Sequence, residues 1–217
     1  MNKSRLLTVI IAVCLTQSQA FSQDQDQELP KFEVAAEFTS FERDAFNRQR
    51  TEPGLGGRFT FNLNQTFALE AAGYFFPKQC FDCVNNGRVL QTVGGVKVGK
   101  RFENWGIFLK ARPGIISFSD GERNLSPTGP FPLSPFQVTF NRVSSFATDL
   151  GGVLEFYPSK RIVTRFDAGD TIIYFTRRTT NDIRFNPITN LFEVGPVTRP
   201  AKTTHSFQFM ASVGFRF

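Results

Sequence analysis

Hydrophobic and polar residues alternate along most of this chain with a period of two. In FEVAAEFTSF, Phe32, Val34, Ala36 and Phe38 share one parity, while Glu33, Ala35, Glu37 and Thr39 share the other. In GLGGRFTFNL, Leu55, Phe59, Phe61 and Leu63 alternate with Gly56, Arg58, Thr60 and Asn62. The same reading applies to TFALEAAGYFF, RVLQTVGGVKVGK, WGIFLKARPGII, FATDLGGVLEFY and RIVTRFDAGDTIIYF. The closing FQFMASVGFRF sets Phe207, Phe209, Ala211, Val213, Phe215 and Phe217 against Gln208, Met210, Ser212, Gly214 and Arg216. Period-two alternation marks strands with two unlike faces, so eight strands are expected. In RIVTRFDAGDTIIYF the parity shifts near Gly169 and Asp170, which predicts a β-bulge there.

The connections have their own rhythm. Asn62–Gln65, Lys100–Asn104 and Pro158–Lys160 are short turns. Glu42–Gly54, Pro77–Gly87, Ser119–Phe136 and Arg177–Thr203 are long. Long and short alternate strictly, the pattern of a transmembrane barrel with short periplasmic turns and longer external loops.

Charge placement decides which face is inside. Glu33, Glu37, Glu70, Asp149, Glu155 and Asp167 lie on one parity, with Arg58, Lys97, Lys110, Arg112, Arg165 and Arg216 beside them. The other parity of the strand cores is almost uncharged. A basic side chain facing mid-bilayer lipid costs about 2–4 kcal/mol. A soluble barrel would carry its charges outward, so the apolar parity is assigned to lipid and the charged parity to an ion-paired lumen.

Composition agrees with strands that cover something apolar. The chain holds 27 Phe against one Trp and three Tyr, and its 17 Gly and 12 Pro point to many turns. At 41% apolar and 20% charged residues it is no disordered chain. The start, MNKSRLLTVIIAVCLTQSQA, has a basic head, an apolar core from Leu6 to Leu15 and the small residues Ser18 and Ala20. It reads as a cleaved secretory signal peptide over 1–20, followed by a periplasmic segment over 21–30 and a barrel over 31–217. Loss of Lys3 and Arg5 would lower the formal charge from +6 by two, to +4. With no Lys/Arg run and no nucleic-acid motif, nucleic acid is not an expected partner.

With this signal peptide, eight alternating strands and a terminal Phe, the chain resembles the small outer-membrane β-barrel proteins of Gram-negative bacteria, the OmpA/OmpX/OmpW-like group. The resemblance covers Lys31 to Phe217. It implies an all-β, eight-stranded antiparallel transmembrane barrel, exported to the outer membrane. It also implies that the last strand is read by the barrel-assembly machinery, with Phe215 and Phe217 as the signal. Ser212 departs from the group's frequent glycine five residues before the end. The peptidoglycan-binding domain of full-length OmpA is not expected.

Candidate chemistry beyond the lumen is sparse. Cys80 and Cys83 form a lone CxxC, read as a disulfide in the second external loop of an exported protein. His205 is the single histidine, and the adjacent Ser206 falls on the opposite face, so no nucleophile–base–acid set is legible. The aromatics Trp105, Tyr157 and Phe217 at one end, and Tyr74, Phe75, Phe76, Tyr174 and Phe175 at the other, are expected to form two interface girdles. Arg177, Arg178 and Lys202 are candidate contacts for the phosphates of lipopolysaccharide. No cofactor or metal is expected. The sequence thus points to a monomeric, non-enzymatic envelope protein with a plugged lumen and outer-membrane lipid as its surroundings. A narrow solute channel is the alternative, and a lipid A-modifying enzyme a third reading.

Overall fold

A computed structural model of the chain describes residues 29–45, 48–77, 87–127, 136–188 and 190–217. The signal-peptide reading of 1–20, most of the segment 21–30, and the Cys80–Cys83 pair lie outside the described residues. Ten strands are present: β1 (Phe32–Ala45), β2 (Arg48–Asn62), β3 (Phe67–Phe76), β4 (Val89–Arg101), β5 (Trp105–Pro127), β6 (Phe136–Phe156), β7 (Ile162–Phe175), β8 (Arg178–Asn186), β9 (Leu191–Arg199) and β10 (Lys202–Arg216). Eight of them close an antiparallel barrel in the order β1-β10-β7-β6-β5-β4-β3-β2. Strands β8 and β9 form a separate two-stranded sheet. Among the described residues no helix is long and apolar enough to cross a membrane. The crossing elements are the strands.

The barrel closes where the chain begins and ends. β1 pairs with β10 from Glu33↔Arg216 to Phe41↔Gln208. Phe32 and Phe217 then exchange both backbone hydrogen bonds at 2.9 Å, and their rings lie 5.8 Å apart. Closure satisfies the edge groups that a spanning sheet could not leave bare in hydrocarbon.

Alternation along the strands holds through the wall. On β3 the buried positions are Ala68, Glu70, Ala72, Tyr74 and Phe76, and Phe67, Leu69, Ala71 and Phe75 face out. On β10 the buried positions include Ser206, Gln208, Met210, Ser212 and Arg216, against outward Phe207, Phe209, Val213 and Phe215, with Phe217 exposed just beyond the strand. Outward Phe, Leu, Val and Ile thus form a continuous apolar belt around a barrel whose inner face is largely polar.

Three details differ from the sequence reading. β7 keeps one parity throughout, with Asp167, Thr171 and Ile173 inward, and its pairing runs unbroken through Gly169 and Asp170. No bulge is needed there, because glycine on the inner face mimics the loss of alternation while Asp170 stays outward. The register shift falls instead on β5, between Phe118 and Glu122. Second, the stretches Glu42–Gly54 and Ser119–Phe136 are mostly strand: β1 and β2 pair out to Ala45↔Arg48, and β5 and β6 out to Pro127↔Phe136. β5 at 23 residues and β6 at 21 far exceed the roughly 9–11 needed to span a bilayer. Third, the segment after β7 contains the β8–β9 hairpin, paired from Arg178↔Arg199 to Asn186↔Leu191.

Candidate functional site: the filled lumen

Because β-strand side chains alternate, each inward charge of the sequence pattern is aimed at the same narrow interior. Glu33, Glu37, Arg58, Glu70, Lys97, Lys110, Arg112, Asp149, Glu155, Arg165, Asp167 and Arg216 are all buried there. Arg58 and Glu37 pair with each other, and the other ten form one connected set of ion pairs, directly or through Arg101.

Arg165 on β7 is its hub. Its Nε and Nη2 donate to Asp167 at 2.5 and 2.7 Å, and its Nη1 and Nη2 donate to both oxygens of Glu70 across the lumen on β3. A planar guanidinium can fork in this way to two carboxylates at once, which a lysine cannot. Glu70 is also approached by Arg112 at 3.5 Å and Lys97 at 3.6 Å. Arg112 donates to Asp149 through Nε at 2.9 Å, and Lys110 bridges Asp149 and Asp167 at 3.0 and 3.1 Å. Lys97 donates to Glu155. Arg58 faces Glu37 at 3.1 Å, and the Tyr74 hydroxyl donates to the other oxygen of Glu37 at 2.6 Å.

Nearer the short turns, Arg101, Tyr157, Asn62 and Glu33 close the interior. Arg101 donates to the Tyr157 hydroxyl at 2.9 Å and to Asn62 Oδ1 at 3.1 Å. Tyr157 in turn donates to Glu155 at 2.8 Å, and Asn62 donates to Glu33 at 3.0 Å. Arg216 lies 3.5 Å from Glu33 and stacks over the Tyr157 ring at 4.3 Å. Arg101 was not among the residues singled out by pattern, because it sits at the last position of β4 beside a turn.

Toward the long connections the lining changes character. Gln208 donates to Thr39 at 2.9 Å and Gln91 at 3.2 Å, and Thr171 donates back to Gln208 at 2.7 Å. Beyond this amide layer lies an apolar one: Phe41, Phe76, Val89, Ile116, Phe118, Ala147 and Ile173 are buried together. The lumen is therefore ionic in one half and hydrocarbon in the other.

This second layer corrects the girdle assignment. Tyr74 and Phe76 point inward and are buried, and so is Tyr157. A Cβ on Gly56 would meet the Tyr74 ring at 2.4 Å, and one on Gly54 would meet the Phe76 ring at 2.5 Å. These glycines let the two rings lie flat against the wall. The aromatics that do face outward include Phe75, Phe146 and Tyr174 at one rim and Phe32, Phe67, Trp105, Phe156, Phe215 and Phe217 at the other.

Around the mouth, Arg178 donates to the inward Ser145 at 3.2 Å and stacks over Phe175 at 5.7 Å. Arg177 and Lys202 are exposed. The β8–β9 hairpin reaches the extension of β5 through Asp182, which accepts from Arg123 at 2.6 Å. The backbone N–H of Ile183 and then Arg123 hold the Asp182 carboxyl below the usual carboxylate range. On the outward wall His205 meets Asp170, a pairing hidden from the sequence reading by the supposed bulge. Among the described residues no group of three or more His, Cys, Asp or Glu is arranged to hold a metal ion.

An all-antiparallel barrel of eight strands, apolar outside and ion-paired within, defines the outer-membrane type of β-barrel. Among solved structures the chain is similar to Neisserial surface protein A, with a TM-score of 0.53 at 10% identity over 86% of this chain and 97% of that one. Ail of Yersinia pestis matches at TM-score 0.44 and 13% identity, covering 86% of this chain and 97% of its own. The N-terminal β-barrel domain of Pseudomonas aeruginosa OprF matches at TM-score 0.37 and 10% identity, covering 84% and 97%. At such identities the likeness is one of fold. No protein-family model matches the sequence, and no curated protein is similar to it.

Proposed function

We propose that this is an integral protein of a Gram-negative outer membrane whose lumen is plugged, and that it works through its wall and its external loops rather than by conducting solutes. The observation that carries the reading is the two-layer filling of the interior. Ion pairs joined by Arg165 occupy one half, and Phe41, Phe76 and Phe118 with their aliphatic neighbours occupy the other. Eight strands leave room for side chains and little else. Its role is envelope structure or loop-mediated surface interaction, with the long connections external and the termini periplasmic. Planar-bilayer recording tests this. The reconstituted wild-type protein should give no steady single-channel current, and regular ohmic steps would overturn the plug.

The same proposal places outer-membrane lipid and lipopolysaccharide against a monomeric barrel that arrives with a cleaved signal peptide. Of the three basic candidates, Arg177 and Lys202 are free to meet phosphate, whereas Arg178 is drawn into the mouth by Ser145 and Phe175. Replacing Arg177 and Lys202 with Ala should therefore weaken lipopolysaccharide binding while leaving barrel stability unchanged. Phe215 and Phe217 are the proposed assembly signal. Phe217→Ala keeps the main-chain exchange with Phe32, so it should lower assembly-dependent insertion more than the stability of barrels already inserted. A non-enzymatic role is proposed as well, and His205→Ala should leave lipid A masses unaltered.

A further inference from the structure

The outward wall of β7 and β10 is apolar or neutral at Ile162, Phe166, Ala168, Ile172, Phe209 and Val213, yet a charged pair interrupts it. His205 Nδ1 lies 2.6 Å from Asp170 Oδ2. Asp170 is paired across the ladder with Phe207 on one side and Leu150 on the other, both exposed to the barrel's surroundings. His205 stands opposite Ile172, one step inside the Tyr174↔Thr203 pair that belongs to the aromatic rim. The position is thus the boundary between hydrocarbon and head groups.

Stability does not account for such a pair. At the interface a charged side chain costs the wall little, and an exposed pair adds little stability in return. Its geometry is nevertheless well fixed. The second oxygen of Asp170 accepts the backbone N–H of Ser206 at 3.0 Å, so both carboxylate oxygens are engaged. With Nδ1–H turned to the carboxylate, Nε2 is the ring nitrogen left as an acceptor, on a side chain 66% exposed against 39% for Asp170. The other charged side chains near this stretch are Glu42, one residue beyond the last β1–β10 pair and on the outward parity, and Lys202 and Arg177 at the strand ends. When the imidazole is uncharged, the pair carries the charge of the carboxylate alone and Nε2 is its open acceptor.

We propose that His205 and Asp170 form a lipid-binding site on the barrel wall, taking a head group that carries an ammonium N–H donor. This rests on the reading of the outward wall as lipid-facing. Imidazole Nε2 accepts one N–H, and the Asp170 charge supplies the attraction. A quaternary head group of the same charge offers no N–H and fits less well.

The test is to reconstitute the protein in nanodiscs of equal parts phosphatidylethanolamine, phosphatidylcholine and phosphatidylglycerol, then release it and weigh the lipids retained by native mass spectrometry. Wild-type protein should retain phosphatidylethanolamine over phosphatidylcholine by about threefold or more, the scale of one exposed charge-assisted hydrogen bond. His205→Leu combined with Asp170→Leu should abolish that preference and still insert. Should the double variant fail to insert, His205→Phe makes the same comparison alone. A wild-type protein with no preference, or a variant that keeps it, overturns the site. A wild-type protein that stays outside the bilayer overturns instead the lipid-facing reading on which the site rests.

Discussion

Arg165 shows what a single residue does in this interior. It makes four hydrogen bonds to Asp167 and Glu70 and a fifth, at 3.5 Å, to Glu155, which joins strands across the lumen. Removing one partner of a buried ionic group costs about 3–5 kcal/mol, since the remaining charge stays desolvated. Glu70→Gln leaves Arg165, Arg112 and Lys97 crowded around a neutral amide. It should destabilise the barrel by about that amount. Urea unfolding from lipid vesicles, followed by the fluorescence of the single Trp105 on the outward wall, is the measurement. The double replacement Glu70→Met with Arg165→Met should cost far less. Asp167 retains Lys110, Arg112 retains Asp149 and Lys97 retains Glu155. If single and double variants lose the same stability, the lumen is not one coupled network.

At the scale of the element, the β8–β9 hairpin behaves as a separate unit leaning on β5. Asp182 is its tether, accepting from Arg123 at 2.6 Å and lying 3.4 Å from Arg199. The folded Asp182 titrates below its unfolded value, so the tether contributes above about pH 4 and is lost as pH falls through the lower folded value. Asp182→Ala at neutral pH should reproduce the acid effect. Both should lower amide protection factors over 178–199 while those of β3 and β4 stay unchanged, and a loss spread over the barrel would contradict the hairpin's independence. This element was not legible in the sequence, because RTTNDIRFN alternates without a consistent apolar face. The barrel strands were legible, since Phe, Val and Leu recur at every second position against charge. Legibility failed at their loop-side ends for a physical reason. In GYFF, VL, IISF and TIIYF apolar residues occupy both parities, so period two vanishes where both sides of the wall are hydrocarbon. Pattern alone assigns Tyr74, Phe76 and Phe175 to a lipid girdle, and in the structure Tyr74 and Phe76 fill the lumen with Phe175 packed against them.

For the whole molecule the two layers act in series. The six acids and six bases read from the pattern balance one another, Arg101 adds one base at the short-turn end, and every path through the ionic half continues into the apolar half. On the proposed plug, loosening one layer does not open the barrel. Arg112→Ala should raise no current in planar bilayers, although it leaves Asp149 with Lys110 alone and destabilises the fold, because Phe41, Phe76, Ile116 and Phe118 still exclude water. Phe76→Ala with Phe118→Ala thins the apolar layer, but the fork of Arg165 on Glu70 and the Arg112 side chain reaching toward Glu70 from β5 still fill the lumen beneath it. Only the combination of Arg112→Ala with Phe76→Ala and Phe118→Ala should give measurable conductance. Each part alone should leave the membrane as tight as the wild type. Current through the Arg112 variant alone would show that the aromatic layer does not seal, and the closure would then rest on the ion pairs.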